Sequence, residues 1–209
     1  MRGLLILLAL AACEDTSRRS LDLDLVKITG QGKLRTDTVG DEVQETATFV
    51  LVDAQNTGKD GAYVTLAGDF LDADKKPVGD FKATSLYVPA GEVRTFALVD
   101  RERKARPTAT GAKIIVRNAT IPDKLPPASV DQIKEIEDDG KLVVQGVLHN
   151  TAEQKGTIVV IGSFHGDDGR PMTRPFAIVK IAGHGEQPVQ FVSPPGAKHG
   201  TIFVGEMSY

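Results

Sequence analysis

Hydrophobic and polar positions alternate along much of the chain, and this alternation predicts β-strands rather than helices. Residues 93–99, for example, are predicted to form a half-buried strand. Residues 46–52 and 63–71 are more continuously apolar, and the turn-forming residues 55–61 separate them. Short strands at close spacing, with Gly, Pro and Asn between them, predict an all-β chain of the β-sandwich kind.

Two shorter patterns are less specific. Leu and Asp alternate over residues 21–25, which predicts an extra strand ahead of the others. Val130, Ile133 and Ile136 recur at a spacing of three. That spacing fits one or two helical turns or a short irregular strand, and the pattern does not separate these.

The apolar pattern occurs twice, which indicates a tandem duplication. The two copies align without a gap at a constant offset of 94 (150 − 56 = 94). The matching residues are Asn56 and Thr57 with Asn150 and Thr151, Gly68 and Phe70 with Gly162 and Phe164, Asp74 with Asp168, Pro77 with Pro171, and Gly91 and Glu92 with Gly185 and Glu186. Residues 111–113 resemble residues 196–198 after a deletion in the second copy.

This repeat predicts the organisation of the chain. We expect β-sandwich domain 1 at residues 21–120 and β-sandwich domain 2 at residues 130–209. Residues 121–129 between them form a proline-rich linker, which is expected to be stiff and extended.

The N-terminus has the pattern of a bacterial lipoprotein export signal. A positive start, an apolar run over residues 3–10 and two alanines precede Cys13. The run is far below the roughly 20 residues that a membrane-spanning helix needs. Residues 10–13, Leu-Ala-Ala-Cys, resemble the lipobox, so we expect Cys13 to be the lipid-attachment residue and the first residue of the mature chain. This gives a signal peptide at residues 1–12 and a lipid-anchored tether at residues 13–20.

The lipobox resemblance implies acyl chains such as palmitate on Cys13, and two or more chains hold a protein firmly in a membrane. In enteric bacteria, Asp directly after the cysteine retains lipoproteins in the inner membrane. The residue here is Glu14, which favours the outer membrane over the inner one. The expected location is therefore the bacterial cell envelope, facing the periplasm.

Composition excludes several classes of function. The chain has 25 basic and 28 acidic residues with a net charge of −3, so no basic surface dominates and we expect no nucleic-acid partner. A single cysteine can form neither an internal disulfide nor a CxxC motif. Aromatic residues are only 5 % and Trp is absent, which counts against a platform for stacking sugars. The densest basic run, residues 101–106, is interpreted as a solvated loop, with an anionic-surface contact as the alternative.

An asparagine turn, an apolar strand ending in an aromatic residue, an Asp-containing turn and a Pro/Ala-Gly turn follow one another in each copy. In the second copy these features are Asn150, Phe164, Asp168 with Gly169, residues 181–184 and residues 195–198. The order resembles the YcfL-like family of small bacterial lipoproteins and, more loosely, the FxLYD domains. The resemblance implies two tandem immunoglobulin-like β-sandwich domains in an envelope lipoprotein.

No arrangement of residues indicates catalysis. The chain lacks G-x-S-x-G, and no Ser or Cys has a local base beside it. The histidines, all in the second copy, are expected in turns or on exposed strand faces: His149, His165, His184 and His199. We expect no catalytic residue and no cofactor.

One cluster could bind zinc. His165, Asp167 and Asp168 are close in sequence, and His184 or His199 could fold nearby. The same residues form an ordinary hairpin turn, which we prefer, and residues 72–77 lack the spaced ligands of a calcium loop. We expect no metal site. The phenylalanines are expected in the core: Phe49, Phe70, Phe81, Phe96, Phe164, Phe176, Phe191 and Phe203.

These features together predict a non-catalytic, lipid-anchored envelope protein with a structural or protein-interaction role. Its expected partners are the membrane, through the lipid, and an envelope protein or a cell-wall component. The first alternative is a glycan-binding module using Tyr63, Tyr87 and Tyr209. The second is a metal-dependent hydrolase built on the second copy.

Overall fold

The computed structural model describes residues 19–39 and 45–209, and these residues form a nearly all-β protein. The predicted all-β class is confirmed. The signal peptide and Cys13 lie outside the described residues. The immunoglobulin-like assignment and the domain boundaries remain predictions.

Within the described residues, fifteen strands follow a short 3-10 helix, Leu23–Leu25. The first half of the described chain (residues 19–120) holds β1 (Val26–Gln31), β2 (Arg35–Val39), β3 (Glu45–Asn56), β4 (Ala62–Leu71), β5 (Pro77–Asp80), β6 (Thr84–Val88), β7 (Val93–Val99) and β8 (Gly111–Thr120). The second half (residues 121–209) holds β9 (Ala128–Asp138), β10 (Lys141–Asn150), β11 (Gly156–His165), β12 (Pro171–Thr173), β13 (Phe176–Ile181), β14 (Glu186–Val192) and β15 (His199–Ser208).

The strands form four antiparallel sheets, two in each half. In sheet I, β3 lies between β7 and the successive strands β1 and β2. In sheet II, β4 lies between β8 and the successive strands β5 and β6. Sheet III, β9–β10–β14, corresponds to sheet I. Sheet IV, with β11 between β15 and the strands β12 and β13, corresponds to sheet II.

Each half fixes the turn after its first central strand with an equivalent buried asparagine. The Asn56 side chain donates to the carbonyl oxygen four residues ahead at 2.8 Å, and its Oδ1 accepts from the N–H two residues ahead at 2.9 Å. Asn150 makes the same two bonds at 2.9 and 3.1 Å. Because the same pair of side-chain hydrogen bonds closes the turn in each half, the two turns share local geometry as well as strand order.

The constant offset of 94 holds for the central strands and is wrong from β6 onward. Ala62 pairs with Val88 in the first half, and Gly156 pairs with Ile181 in the second. The central strands are therefore offset by 94 (156 − 62), but their neighbours are offset by 93 (181 − 88). The predicted match of Gly91 and Glu92 with Gly185 and Glu186 is one residue out. The connection between β12 and β13 is one residue shorter than the connection between β5 and β6, and this difference causes the shift. An alignment without gaps does not reveal it.

The predicted match of residues 111–113 with residues 196–198 is also wrong. Phe70 pairs with Ala112, and Phe164 pairs with Gly200, so the last strands are offset by 88 (200 − 112). Residues 196–198 precede β15 and belong to the turn that leads into it. The Gly-Ala-Lys sequence occurs in both halves, but its two copies do not occupy equivalent positions in the strand pairing.

Each half has its own apolar core between its two sheets. In the first half, the rings of Phe70 and Phe81 meet edge to face at 4.5 Å. Five of the predicted core phenylalanines are fully buried, and Phe49 and Phe191 are partly buried: the five are Phe70, Phe81, Phe96, Phe164 and Phe203. Phe176 is the exception, with 50 % of its surface exposed. It lies on the face of β13 opposite Val179, which is in the core.

The Leu and Asp residues at 21–25 do not form the predicted strand. The Asp22 side chain accepts a hydrogen bond from the Asp24 N–H at 3.0 Å and caps the 3-10 helix instead. Aspartate competes for nearby backbone donors in this way, and a period-two pattern takes no account of it. Leu21, just ahead of the cap, is buried.

The spacing of three at Val130, Ile133 and Ile136 comes from a bulged strand. Gln132 has a positive φ of 53°, and the pairing of β9 with β10 shifts register beside it. The extra residue brings Val130 and Ile133 to the same partner, Gly146. The irregular-strand alternative is therefore confirmed over the helical one.

The linker region joins the halves without a regular element between Thr120 and Ala128. Arg19 and Ser20, assigned above to the tether, already pair with the end of β8 and with Ile121. Among the described residues, no helix is long and apolar enough to cross a membrane.

Candidate functional site

The two halves pack against each other through the outer faces of sheets I and IV. The contact is marked by a buried polar cluster, which we call the seam cluster: Asp53, Thr95, Ser163, His165 and Arg174. Asp53 and Thr95 lie on β3 and β7, Ser163 and His165 lie on β11, and Arg174 follows β12. Ile161 and Phe203 of the second half also join the core of the first half. The halves therefore form one packed body.

Hydrogen bonds connect the seam cluster across the halves. The Thr95 hydroxyl donates to Asp53 Oδ1 at 2.6 Å, so its oxygen is left to accept from the Ser163 hydroxyl, also at 2.6 Å. His165 Nε2 lies 2.9 Å from Asp53 Oδ2. Both oxygens of the Asp53 carboxylate are thus used, which satisfies a charged group that is only 4 % exposed.

Two arginines extend the contact. Arg174 donates from Nε to the Thr95 carbonyl oxygen at 2.7 Å. Burial lowers the pKa of Arg174 to about 10, and the Glu206 carboxylate opposes this shift, so the side chain stays cationic at neutral pH. The Arg94 guanidinium lies over the Phe203 ring at 5.1 Å. Burial lowers the pKa of Arg94, and Glu92, 2.6 Å away, opposes that shift.

The seam cluster contains Ser, His and Asp but does not have the geometry of a catalytic triad. Ser163 is fully buried and bonds to Thr95, whereas His165 bonds to Asp53. A nucleophile must contact both its base and the substrate. The seam cluster therefore serves to hold the two halves in one register.

The structure places His199 directly opposite His165 in the pairing of β11 with β15, but among the described residues it does not gather the candidate zinc ligands into one site. His165 faces Asp53 across the seam, and Asp167 lies 3.8 Å from Lys198. His199 is 75 % exposed, and His184 is in a turn with φ 53°. Within residues 19–39 and 45–209, no group of three or more His, Cys, Asp or Glu residues could hold a metal ion.

The acidic turns are held by their own aspartates. Asp72 Oδ1 accepts from the N–H groups of Asp74 and Lys76, both at 2.9 Å. Asp168 Oδ1 accepts from the Arg170 N–H at 3.0 Å. Because these oxygens bond within the turn, the turn interpretation accounts for them.

The basic run at residues 101–106 folds around a buried carboxylate. Asp100 accepts from Arg106 Nε at 2.7 Å and from two backbone N–H groups at 3.1 Å. Burial raises the pKa of Asp100, but these hydrogen bonds outweigh it and leave that pKa below its ordinary value. Arg101, Arg103 and Lys104 are exposed, as expected of a solvated loop, whereas Arg106 is a structural residue.

A groove of about 300 Å³ lies beside the seam, between the linker, β9 and β15 of the second half and the end of β6 and start of β7 of the first. Its lining is mixed. Apolar groups come from Leu125, Ala128, Ile133, Ile202 and Met207, and polar groups come from Tyr87, Glu92, Arg94 and Asp131. Leu125 is 75 % exposed at its edge.

Two of the three tyrosines are neighbours. Tyr63 and Tyr87 pair across β4 and β6, and their rings lie 5.4 Å apart at 58°. Burial raises the pKa of Tyr209, and Tyr63 adds to this shift. Tyr63 and Tyr87, at least, are not dispersed over the molecule.

No protein-family model matches the chain, and a search of curated proteins gives no significant sequence match.

Sequence reasoning missed the seam cluster. Asp53 follows four apolar residues in one strand, and Ser163 sits inside another apolar strand. A buried polar residue needs a partner, so each of these was a signal. The partner could not be identified, because Asp53 and His165 are 112 residues apart in sequence.

Proposed function

We propose that this protein is a lipid-anchored bacterial envelope protein that acts by binding another envelope component, without catalysis of its own. Cys13 carries the lipid, and the mature chain faces the periplasm, in the outer membrane rather than the inner one. The YcfL-like resemblance belongs to the same proposal.

The observation that carries the interaction role is the seam. Buried hydrogen bonds join the two halves of the chain into one packed body. The polar groups at this contact are hydrogen-bonded to one another. A rigid body presents surfaces at fixed positions, which reduces the entropy cost of binding a partner. The Ser, His and Asp residues that could suggest chemistry are the same ones that make the contact.

A glycan-binding role is a second candidate, favoured by one observation. Tyr63 and Tyr87 lie side by side, and Tyr87 also lines the groove. Neighbouring aromatic rings are the surfaces on which sugars stack. Soluble cell-wall fragments that shift the fluorescence of these tyrosines would favour this candidate over a protein partner.

The anchor is tested by mass spectrometry of the mature N-terminus after membrane fractionation. We expect an acylated Cys13 in the outer-membrane fraction and a non-acylated, mislocalised product for Cys13→Ser. A native protein that is soluble and keeps residues 1–12 would contradict the proposal. In vivo crosslinking in the wild-type background then tests whether an envelope component is bound.

A further inference from the structure

The outer edge of β13 is open. Among the described strands, β13 pairs with β11 alone, in a ladder without a register shift. The Gly162 N–H donates to the Pro175 carbonyl oxygen at 2.9 Å, which continues this ladder by one residue on each strand. Because hydrogen-bonded positions alternate along an antiparallel strand, the backbone N–H and C=O groups of Phe176, Ile178 and Lys180 point away from β11.

The side chains of these three residues are exposed on one face of β13. Phe176 is 50 % exposed and Ile178 is 51 % exposed. They pair with Ile161 and Val159 of β11, which pack against the core of the first half. The apolar surface that is buried at the seam therefore continues onto β13, where it ends uncovered at the open edge. An edge of this kind is able to pair with another strand.

The equivalent edge in the first half is closed at its start. The Lys82 N–H, just ahead of β6, donates to the Val99 carbonyl oxygen at the end of β7 at 2.9 Å. Pro175 stands at the position of Lys82 (175 − 82 = 93) and has no N–H to donate. The side chains differ as well, because Ile178 takes the place of Ser85 (178 − 85 = 93). Of these two edges, only that of β13 is both open and apolar.

A second molecule of the chain fits this edge. When two β13 strands run antiparallel about a two-fold axis at Ile178, Ile178 stands opposite its own counterpart and Phe176 stands opposite Lys180. All the outward N–H and C=O groups of these three residues then have a partner, which gives about six hydrogen bonds between the strands. Residues that stand opposite each other lie on the same face, so the exposed side chains also meet.

The charge of Lys180 fits this register. A lysine on an edge strand normally opposes pairing with a like strand. Here each Lys180 stands opposite the Phe176 ring of the other molecule, which attracts the ammonium group and packs against the methylene groups. The two Lys180 residues are about 14 Å apart along the strands, because four residues separate them.

We propose that two molecules of this chain associate through antiparallel pairing of their β13 strands, which joins sheet IV of one molecule to sheet IV of the other. The contact is short, so the dimer is weak, with a dissociation constant on the order of 100 µM. This self-association is separate from the proposed binding of another envelope component and does not depend on it.

Sedimentation equilibrium of the mature chain carrying Cys13→Ser tests the association. We expect mostly monomer at about 10 µM and mostly dimer at about 1 mM. Ile178→Lys places two lysines opposite each other at the two-fold axis and is expected to weaken the dimer at least about tenfold. The matched control Ser85→Lys adds the same side chain at the equivalent exposed position of the first half. It is expected to change the dissociation constant less than about twofold.

Cysteine trapping tests the register of the two strands. Hydrogen-bonded residues opposite each other have Cα atoms about 5.5 Å apart, which a disulfide can span. In the Cys13→Ser background, Ile178→Cys is therefore expected to give a disulfide-linked dimer on mild oxidation. Lys180→Cys lies on the same face of the same strand, but its counterpart is about 14 Å away, so we expect it to crosslink at least about tenfold more slowly.

A monomer at about 1 mM would overturn the assignment, and so would a dimer that Ile178→Lys and Ser85→Lys weaken equally. Faster crosslinking of Lys180→Cys than of Ile178→Cys would contradict the register. In cells, the disulfide product of Ile178→Cys is expected to have the mass of two chains. A product that contains a different protein would assign this edge to a partner and remove the self-association.

Discussion

The two halves share one strand order but use equivalent outer faces differently. On sheet I the outer face carries Asp53 and Thr95 and is buried against the second half. The equivalent positions on sheet III are Val147 and Pro188 (147 − 53 = 94; 188 − 95 = 93), and Pro188 is exposed. A tandem duplication starts with two identical sheet faces. In this chain, polar residues on the outer face of sheet I specify that this face, and not the outer face of sheet III, packs against the other half.

The largest difference between the halves is expected at a pair of equivalent glycines. Gly68 has φ 147°, and a side chain there would collide with the Lys113 carbonyl oxygen. Gly162 has no such φ, and a side chain there would meet Cβ, Cγ and Cδ2 of Phe191, so a side chain rather than the backbone must shift. We expect Gly68→Ala to cost about 4 kcal/mol and Gly162→Ala about 1 kcal/mol. Urea unfolding of both variants measures this, and equal costs would refute the distinction.

Exchanging residues between the equivalent faces is expected to have the next largest effect. Asp53→Val introduces the residue of the second half and leaves Thr95 and His165 without their carboxylate. We expect it to lower the free energy of unfolding by about 3 kcal/mol. The reverse change, Val147→Asp on sheet III, places a charge beside solvent and is expected to cost under about 1 kcal/mol. A small effect of Asp53→Val would show that the seam cluster is not stabilising.

The carboxylate of Asp100 gives a pH-dependent effect confined to the first half. Its pKa is lowered in the folded state, so its contribution is present above its unfolded pKa of about 4 and is lost as pH falls through the folded value. We expect Asp100→Asn to cost about 2 kcal/mol at pH 7 and less as the pH approaches 2. Chemical unfolding at both pH values tests this, and a cost independent of pH would contradict the assigned role.

The smallest effect is expected at Phe176, the phenylalanine outside the core. Half of its surface is exposed. We expect Phe176→Ser to change stability by less than about 1 kcal/mol, against about 4 kcal/mol for Phe164→Ala. Thermal unfolding of the two variants provides the comparison, and a large loss at Phe176 would indicate burial that the structure does not show.

The sequence carried enough information for the strands but not for the seam. Val93–Val99 is predicted from its residues to be a half-buried strand, and the structure places β7 there with buried and partly exposed positions along it. The 3-10 helix at 23–25 was not predicted, because Asp22 caps it through a local hydrogen bond that a periodic pattern does not show. The seam depends on contacts between distant residues, and a pattern within a single strand does not identify the partner of Asp53.

The candidate sites differ in the same way. The turn interpretation of Asp168 needed only neighbouring residues and agrees with its hydrogen bond to Arg170. The groove needed the register of both halves, because its lining residues come from the linker, β6, β7, β9 and β15. Acylation of Cys13 remains a prediction of the sequence alone.

The central claim is that the seam cluster holds the two halves as one body, and a distance measurement tests it most directly. Spin labels at Ser85 and Gln145, exposed positions on sheets II and III, are introduced into a Cys13→Ser background. Pulsed electron resonance is expected to give one narrow distance distribution, which Asp53→Val broadens. A broad distribution in the chain with an intact seam cluster would show that the halves move independently and would contradict the account.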